Sequence, residues 1–140
     1  MKTFTTEIEI QADAARIWQA LTQEMPRDPH RFGILRLDGL IAHGGRIKLC
    51  SEVSPKRAFA LKVTEFDAPH VMVWRGGMPF GLFVGTRRFQ ISPTATGCMF
   101  HMSEVFSGPM AGLITKSIPD LTPSFIKFAN ALKQKAEQND

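Results

Sequence analysis

Residues 4–10 alternate in polarity, with Thr6, Ile8 and Ile10 on one side of an extended chain, the period-two pattern of a half-buried strand. The period then changes. Asp13 stands as an N-cap ahead of Ala14, Ile17, Trp18, Leu21 and Met25, which recur on one face of a helix. Pro26 stops that helix, and residues 26–32 read as a loop or a short second helix.

From residue 34 to 106 the chain alternates again. Residues 34–37, 46–50, 57–66, 71–75, 82–91 and 98–106 each read as strands. Their connections carry turn chemistry, as in Ala42-His43-Gly44-Gly45, Ser54-Pro55-Lys56 and Asp67-Ala68-Pro69-His70. Links this short imply antiparallel hairpins in a meander. Beyond Gly108-Pro109 the helical period returns, first over 110–118 and then, past Pro119, in a longer helix. Thr122 is its expected N-cap and Pro123 its first helical position. Phe125, Phe128, Ala129, Leu132 and Ala136 form its apolar face, while Lys127, Asn130, Lys133 and Gln134 face water. Strand, helix, six strands, helix predicts an α+β fold: a curved antiparallel sheet of about seven strands wrapped around a long C-terminal helix, with one or two short helices after the first strand. At 140 residues, with no repeat or linker, the chain reads as a single domain over 1–140.

Composition narrows the function. Hydrophobic residues make up 44% and charged residues 21%, the balance of a soluble globule rather than a disordered chain. No apolar run reaches the length of a membrane span, and the N-terminus has no signal core, so a cytoplasmic location is expected. The net charge is +4, but basic residues are scattered from Lys2 to Lys135 with no dense block, so no nucleic-acid partner is expected. Eleven Phe, seven Met and no Tyr make a soft apolar interior suited to a grease-lined cavity or to an ordinary core. His30, His43, His70 and His101 show no ligand spacing, and Cys50 and Cys98 form no CxxC, so neither a metal nor another cofactor is expected. The sequence also lacks GxSxG, a complete phosphate loop and a Rossmann fingerprint.

Alternation assigns faces to the candidate chemistry. Cys98, Phe100, Met102, Glu104 and Phe106 share the inner side of the last strand, and Phe83, Gly85, Arg87, Phe89 and Ile91 that of the strand before. Arg87 and Glu104 thus fall within ion-pair reach of one another, inside an apolar surround. Such a pair either orients the polar head of a ligand or bridges two buried charges structurally. Glu104 is the one weak candidate for general acid–base catalysis, and the neighbouring Arg works against that role. Trp74 either stacks on a flat ligand or fills the core. The 106–114 segment, with Gly108, Pro109 and Gly112, reads either as a hinge carrying Met110, Leu113 and Ile114 as an apolar lid, or as a packed connector. Apolar tips beside Lys116 also allow peripheral membrane contact.

Several phrases, in order and nearly end to end, carry a family resemblance: Glu7-Ile8-Glu9-Ile10 before the helix over 14–18, Gly39 through Gly45-Arg46-Ile47, Val71-Met72-Val73-Trp74-Arg75, Leu82-Phe83-Val84-Gly85 with Phe89, and Glu104-Val105-Phe106-Ser107-Gly108. With them the chain resembles the helix-grip fold of the START-like, Bet v 1-like (SRPBCC) proteins, and within it the polyketide cyclase/dehydrase-like branch. The resemblance implies an apolar cavity between sheet and C-terminal helix; the fold itself selects no reaction. The leading expectation is a binder of a hydrophobic or amphipathic small molecule, with Trp74, Phe89, Met102, Phe106, Phe125 and Phe128 as walls and Arg87 and Glu104 as polar anchors. A cyclase/dehydrase-type enzyme and an interaction module with a collapsed cavity are the alternatives. Monomer and homodimer both stay open.

Overall fold

The computed structural model describes residues 2–138. Strand β1 (Lys2–Ile10) leads into helix α1 (Ala14–Gln19), capped by the Asp13 carboxylate, which accepts from the Arg16 N–H at 2.8 Å. Strands β2 (Ile34–Gly39), β3 (Arg46–Ser51), β4 (Ala58–Asp67), β5 (Val71–Gly77), β6 (Val84–Pro93) and β7 (Cys98–Ser107) follow, then helices α2 (Ala111–Ile114) and α3 (Thr122–Glu137). The strands form one sheet of order β1-β7-β6-β5-β4-β3-β2, every neighbouring pair antiparallel. The meander expected from the short connections is therefore present, and β1 closes it by pairing with β7 across almost the whole sequence. Irregularities between Ile34 and Arg36 and between Val63 and Glu65 bend the sheet. Its concave side wraps α3. No helix among the described residues is long and apolar enough to cross a membrane.

Two local expectations are corrected. The helix read over 14–25 is α-helical only to Gln19; residues 20–24 widen into a π turn and 25–27 tighten into a 3-10 turn. The Thr22 hydroxyl donates to the Trp18 carbonyl at 2.7 Å within this turn, and Pro26 has no N–H with which to continue the ladder. Leu21 and Met25 keep their apolar side on the core through the change of pitch. At α3, Thr122 is the first helical residue rather than the cap, because the Asp120 carboxylate accepts its N–H at 3.0 Å. That N–H and the Thr122 hydroxyl hold the Asp120 carboxyl below its usual range.

The core lies between the concave face and α3. Phe125, Phe128, Ala129, Leu132 and Ala136 are all buried, as their spacing predicts. Phe128 meets the rings of Phe32, Phe89 and Phe100 at centroid distances of 5.2, 5.8 and 6.4 Å. Around the rim, Lys127 of α3 reaches Glu52 in the β3–β4 connection at 2.8 Å. Arg16 of α1 donates to the Lys135 and Ala136 carbonyls at 2.7 and 3.2 Å and pairs with Glu24.

Candidate functional site

Strand register lines up one row of concave-face side chains across five strands: Val63, Trp74, Arg87, Glu104 and Phe4. Each is directly opposite the next, and such neighbours sit with Cβ atoms ~4.5–5.5 Å apart. Val63 and Phe4 are apolar bookends; the middle three carry the chemistry. Arg87 Nη2 donates to Glu104 Oε1 at 3.2 Å, with the two side chains 18% and 13% exposed. The Arg87 guanidinium also lies 5.0 Å from the Phe125 ring centroid, over the first turn of α3. Desolvation raises the Glu104 carboxyl above its ordinary range, and the Arg87 charge and hydrogen bond offset this only in part.

Two donors in this row have no acceptor. Trp74 Nε1 and Arg87 Nε are both buried, and neither has a hydrogen-bond partner among the described residues. A buried donor left this way costs about 1–3 kcal/mol. Trp74 itself is fully buried, with its ring 4.8 Å from that of Phe89. Two cross-strand neighbours therefore turn idle N–H groups into an apolar interior beside a carboxyl of raised pKa.

The adjacent row, toward the β5–β6 loop, has two glycines side by side, Gly76 opposite Gly85, with Phe106 next to Gly85. A Cβ at Gly76 would meet the Ala60 carbonyl at 2.5 Å and Leu61 Cδ2 at 2.7 Å; one at Gly85 would meet the Phe106 ring at 3.3 Å. At Gly76 the β4 backbone closes on the strand, whereas the space a side chain at Gly85 would have taken is covered by Phe106, stacked on Phe83 at 5.5 Å. Beyond this row the β5–β6 loop and the β7–α2 connection are tied together: the Met110 N–H donates to the Leu82 carbonyl at 2.9 Å. Phe80, held at φ 62°, is 99% exposed at the loop tip, and Leu113 on α2 is 68% exposed. Met110 and Ile114, read in the sequence as parts of the same lid, are half-buried instead.

All eight side chains singled out in the sequence lie on the concave face or on the inner face of α3. Trp74, Phe89, Met102, Phe106, Phe125 and Phe128 are all buried in one continuous core cluster, where Phe89 meets the rings of Trp74 and Phe128. Two shallow surface pockets lie elsewhere, one beside Arg16 and Glu137, the other against Lys48 and Ala58. His43 and His70 sit in turns and His30 in the 3-10 helix over Pro29–Phe32, and no group of three His, Cys, Asp or Glu side chains converges among the described residues. Burial raises the Cys98 thiol, which leaves it a poor nucleophile. The glycine pair and the idle donors were not legible in the sequence; only the register of β5 on β6 brings them together.

A family model described as polyketide cyclase / dehydrase and lipid transport matches residues 1–137. The chain belongs to this family. With that family match, the seven-stranded antiparallel sheet wrapped on α3 is the Bet v 1-like, SRPBCC helix-grip fold. The chain is similar to protein MLL2253 from Mesorhizobium loti, at 19% identity and TM-score 0.74 over 99% of both chains. Norcoclaurine synthase from Thalictrum flavum, in complex with dopamine and hydroxybenzaldehyde, matches at 16% identity and TM-score 0.71, over 99% of this chain and 89% of that one. The di-domain ARO/CYC protein BexL matches at 14% identity and TM-score 0.73, over 99% of this chain and 51% of that one. At these identities the likeness establishes the fold alone. No curated protein matches the sequence.

Proposed function

We propose that the protein binds a small amphipathic molecule between the sheet and α3, with an oxygen acceptor of the ligand seated on Trp74 Nε1–H and Arg87. The observation that carries this reading is the pair of buried donors without acceptors. A ligand oxygen placed between them satisfies both, and the rings of Phe89, Phe106, Phe125 and Phe128 with Met102 cover its apolar body. Room comes from rotation of Phe106 away from Gly85, a side-chain motion that leaves the sheet intact. Because Glu104 already offsets the Arg87 charge, a neutral carbonyl or hydroxyl suits the site better than a second carboxylate. The aromatic aldehyde and the catecholamine named with norcoclaurine synthase are molecules of this size and polarity on the same fold.

Thermal-shift measurements and native mass spectrometry with hydroxybenzaldehydes, medium-chain fatty alcohols and fatty acids test the reading. One class should bind and raise the melting temperature. Trp74→Phe keeps the ring and removes the donor, so its affinity should fall about tenfold, the effect of one hydrogen bond. Arg87→Met should lose binding altogether. Absence of binding by every class, or binding indifferent to Trp74→Phe, overturns the proposal.

A second reading is favoured by one observation, the raised Glu104 carboxyl. A carboxyl raised above its ordinary range by burial, beside a seated carbonyl, is placed to pass a proton to it. Turnover of the bound class with a pH profile that Glu104→Gln abolishes would establish catalysis; a ligand recovered unchanged would leave a binder.

A further inference from the structure

The convex face of the sheet carries a second arrangement, independent of ligand binding. Arg46 stands directly opposite Lys62, and Lys62 directly opposite Arg75. All three are exposed, as is Lys48, two positions along from Arg46. Opposed side chains on antiparallel strands lie ~4.5–5.5 Å apart at Cβ, and like charges placed there repel. The acids close by on this face are already engaged: Asp38 pairs with Arg36 at 2.6 Å and Glu65 with Arg88 at 3.7 Å. No ion pair forms at Arg46, Lys48, Lys62 or Arg75 among the described residues.

We propose that this cationic ladder docks an acidic helix of a partner protein. Three features favour that occupant. Carboxylates three or four residues apart on a helix have Cβ atoms about 5–6 Å apart, the same interval as the ladder, so one helix face laid across β3, β4 and β5 pairs with it rung by rung. On the side of the ladder toward the start of β4 and the end of β5, the outward positions are Ala58, Ala60 and Gly77, small residues that let a helix approach closely. A shallow groove of about 250 Å³ lined by Arg36, Asp38, Lys48, Cys50 and Ala58 runs beside it. The cationic zone is also narrow. Across the same face the row passes through Thr86 and Val105 to Thr3, and β1 then presents Glu7 and Glu9. A bilayer or a nucleic-acid duplex would meet that acidic strand; a single helix does not reach it.

Fluorescence anisotropy with two labelled synthetic helical peptides of identical composition tests the proposal. One carries Glu at three- and four-residue intervals along a single face; the other distributes the same residues around the helix. The single-face peptide should bind the intact protein at least tenfold more tightly, and raising the salt should weaken it. Lys62→Glu, with a circular-dichroism spectrum confirming its fold, should reduce that affinity at least tenfold, whereas Lys116→Glu, an equal charge change away from the ladder, should leave it unchanged. Equal affinity for the two peptides overturns the proposal. So does binding indifferent to Lys62→Glu, or Lys62-dependent binding that prefers phosphatidylglycerol vesicles or a 20-base-pair DNA duplex to the single-face peptide.

Discussion

Glu104 stands between two opposing influences: burial raises its carboxyl above the ordinary 4.5, and Arg87 at 3.2 Å pulls it back without cancelling the shift. The sign of the consequence follows from linkage. With the folded pKa above the unfolded one, the folded protein binds more protons between the two values, so this group's contribution to stability falls as pH rises through that window and stays reduced above it. Asp120 and Glu137 are shifted the other way and lose their stabilisation as pH falls, but they do so equally in a Glu104 variant. Urea denaturation of the parent and of Glu104→Gln should therefore show the variant gaining relative stability as pH rises from 4.5. Parallel pH curves would refute a raised Glu104.

At the scale of elements, α3 is held by the way its aromatic residues enter the concave face. Phe128 touches rings from the segment after α1, from β6 and from β7. No other packing reorganises easily to fill its place, so Phe128→Ala should cost about 3–5 kcal/mol in a denaturation experiment. Ile126 lies on the opposite side of the same helix and is 47% exposed. Ile126→Ser should change stability by less than about 0.5 kcal/mol, and a comparable loss at both positions would mean that α3 is docked differently.

The whole molecule is closed by contacts between its ends. β1 pairs with β7 along its length, and the Arg16 guanidinium donates to the Lys135 and Ala136 carbonyls in the last turn of α3. Charged hydrogen bonds of this kind contribute about 1.5–3 kcal/mol, so Arg16→Met should lower stability by that order. Arg16→Lys should restore only part of it, since one ammonium cannot span two carbonyls and the Glu24 carboxylate as the guanidinium fork does. Full rescue by Lys in thermal denaturation would reduce the contact to simple charge. The same scale accounts for the convex face: Arg46, Lys62 and Arg75 lie 16 and 13 positions apart in sequence, and only sheet pairing makes them one row.

Periodicity alone determined which segments are strands and helices, which side of each is apolar, and that Arg87 and Glu104 point inward together. Those properties are local: a strand's faces depend only on alternation, and α3's only on a repeat near 3.6 residues. The family resemblance in the order of its phrases added the helix-grip architecture, and the family match agrees with it. Tertiary structure decided the remainder. The pitch change after Gln19 and the shift of the α3 cap from Thr122 to the preceding segment depend on hydrogen bonds that compete with the helix ladder. The idle donors of Trp74 and Arg87, the pairing of Gly76 with Gly85, and the cationic ladder all depend on which residue of one strand faces which residue of the next. Register is a long-range property set by turns, bulges and packing, and a one-residue slip would send every one of these side chains to the other face.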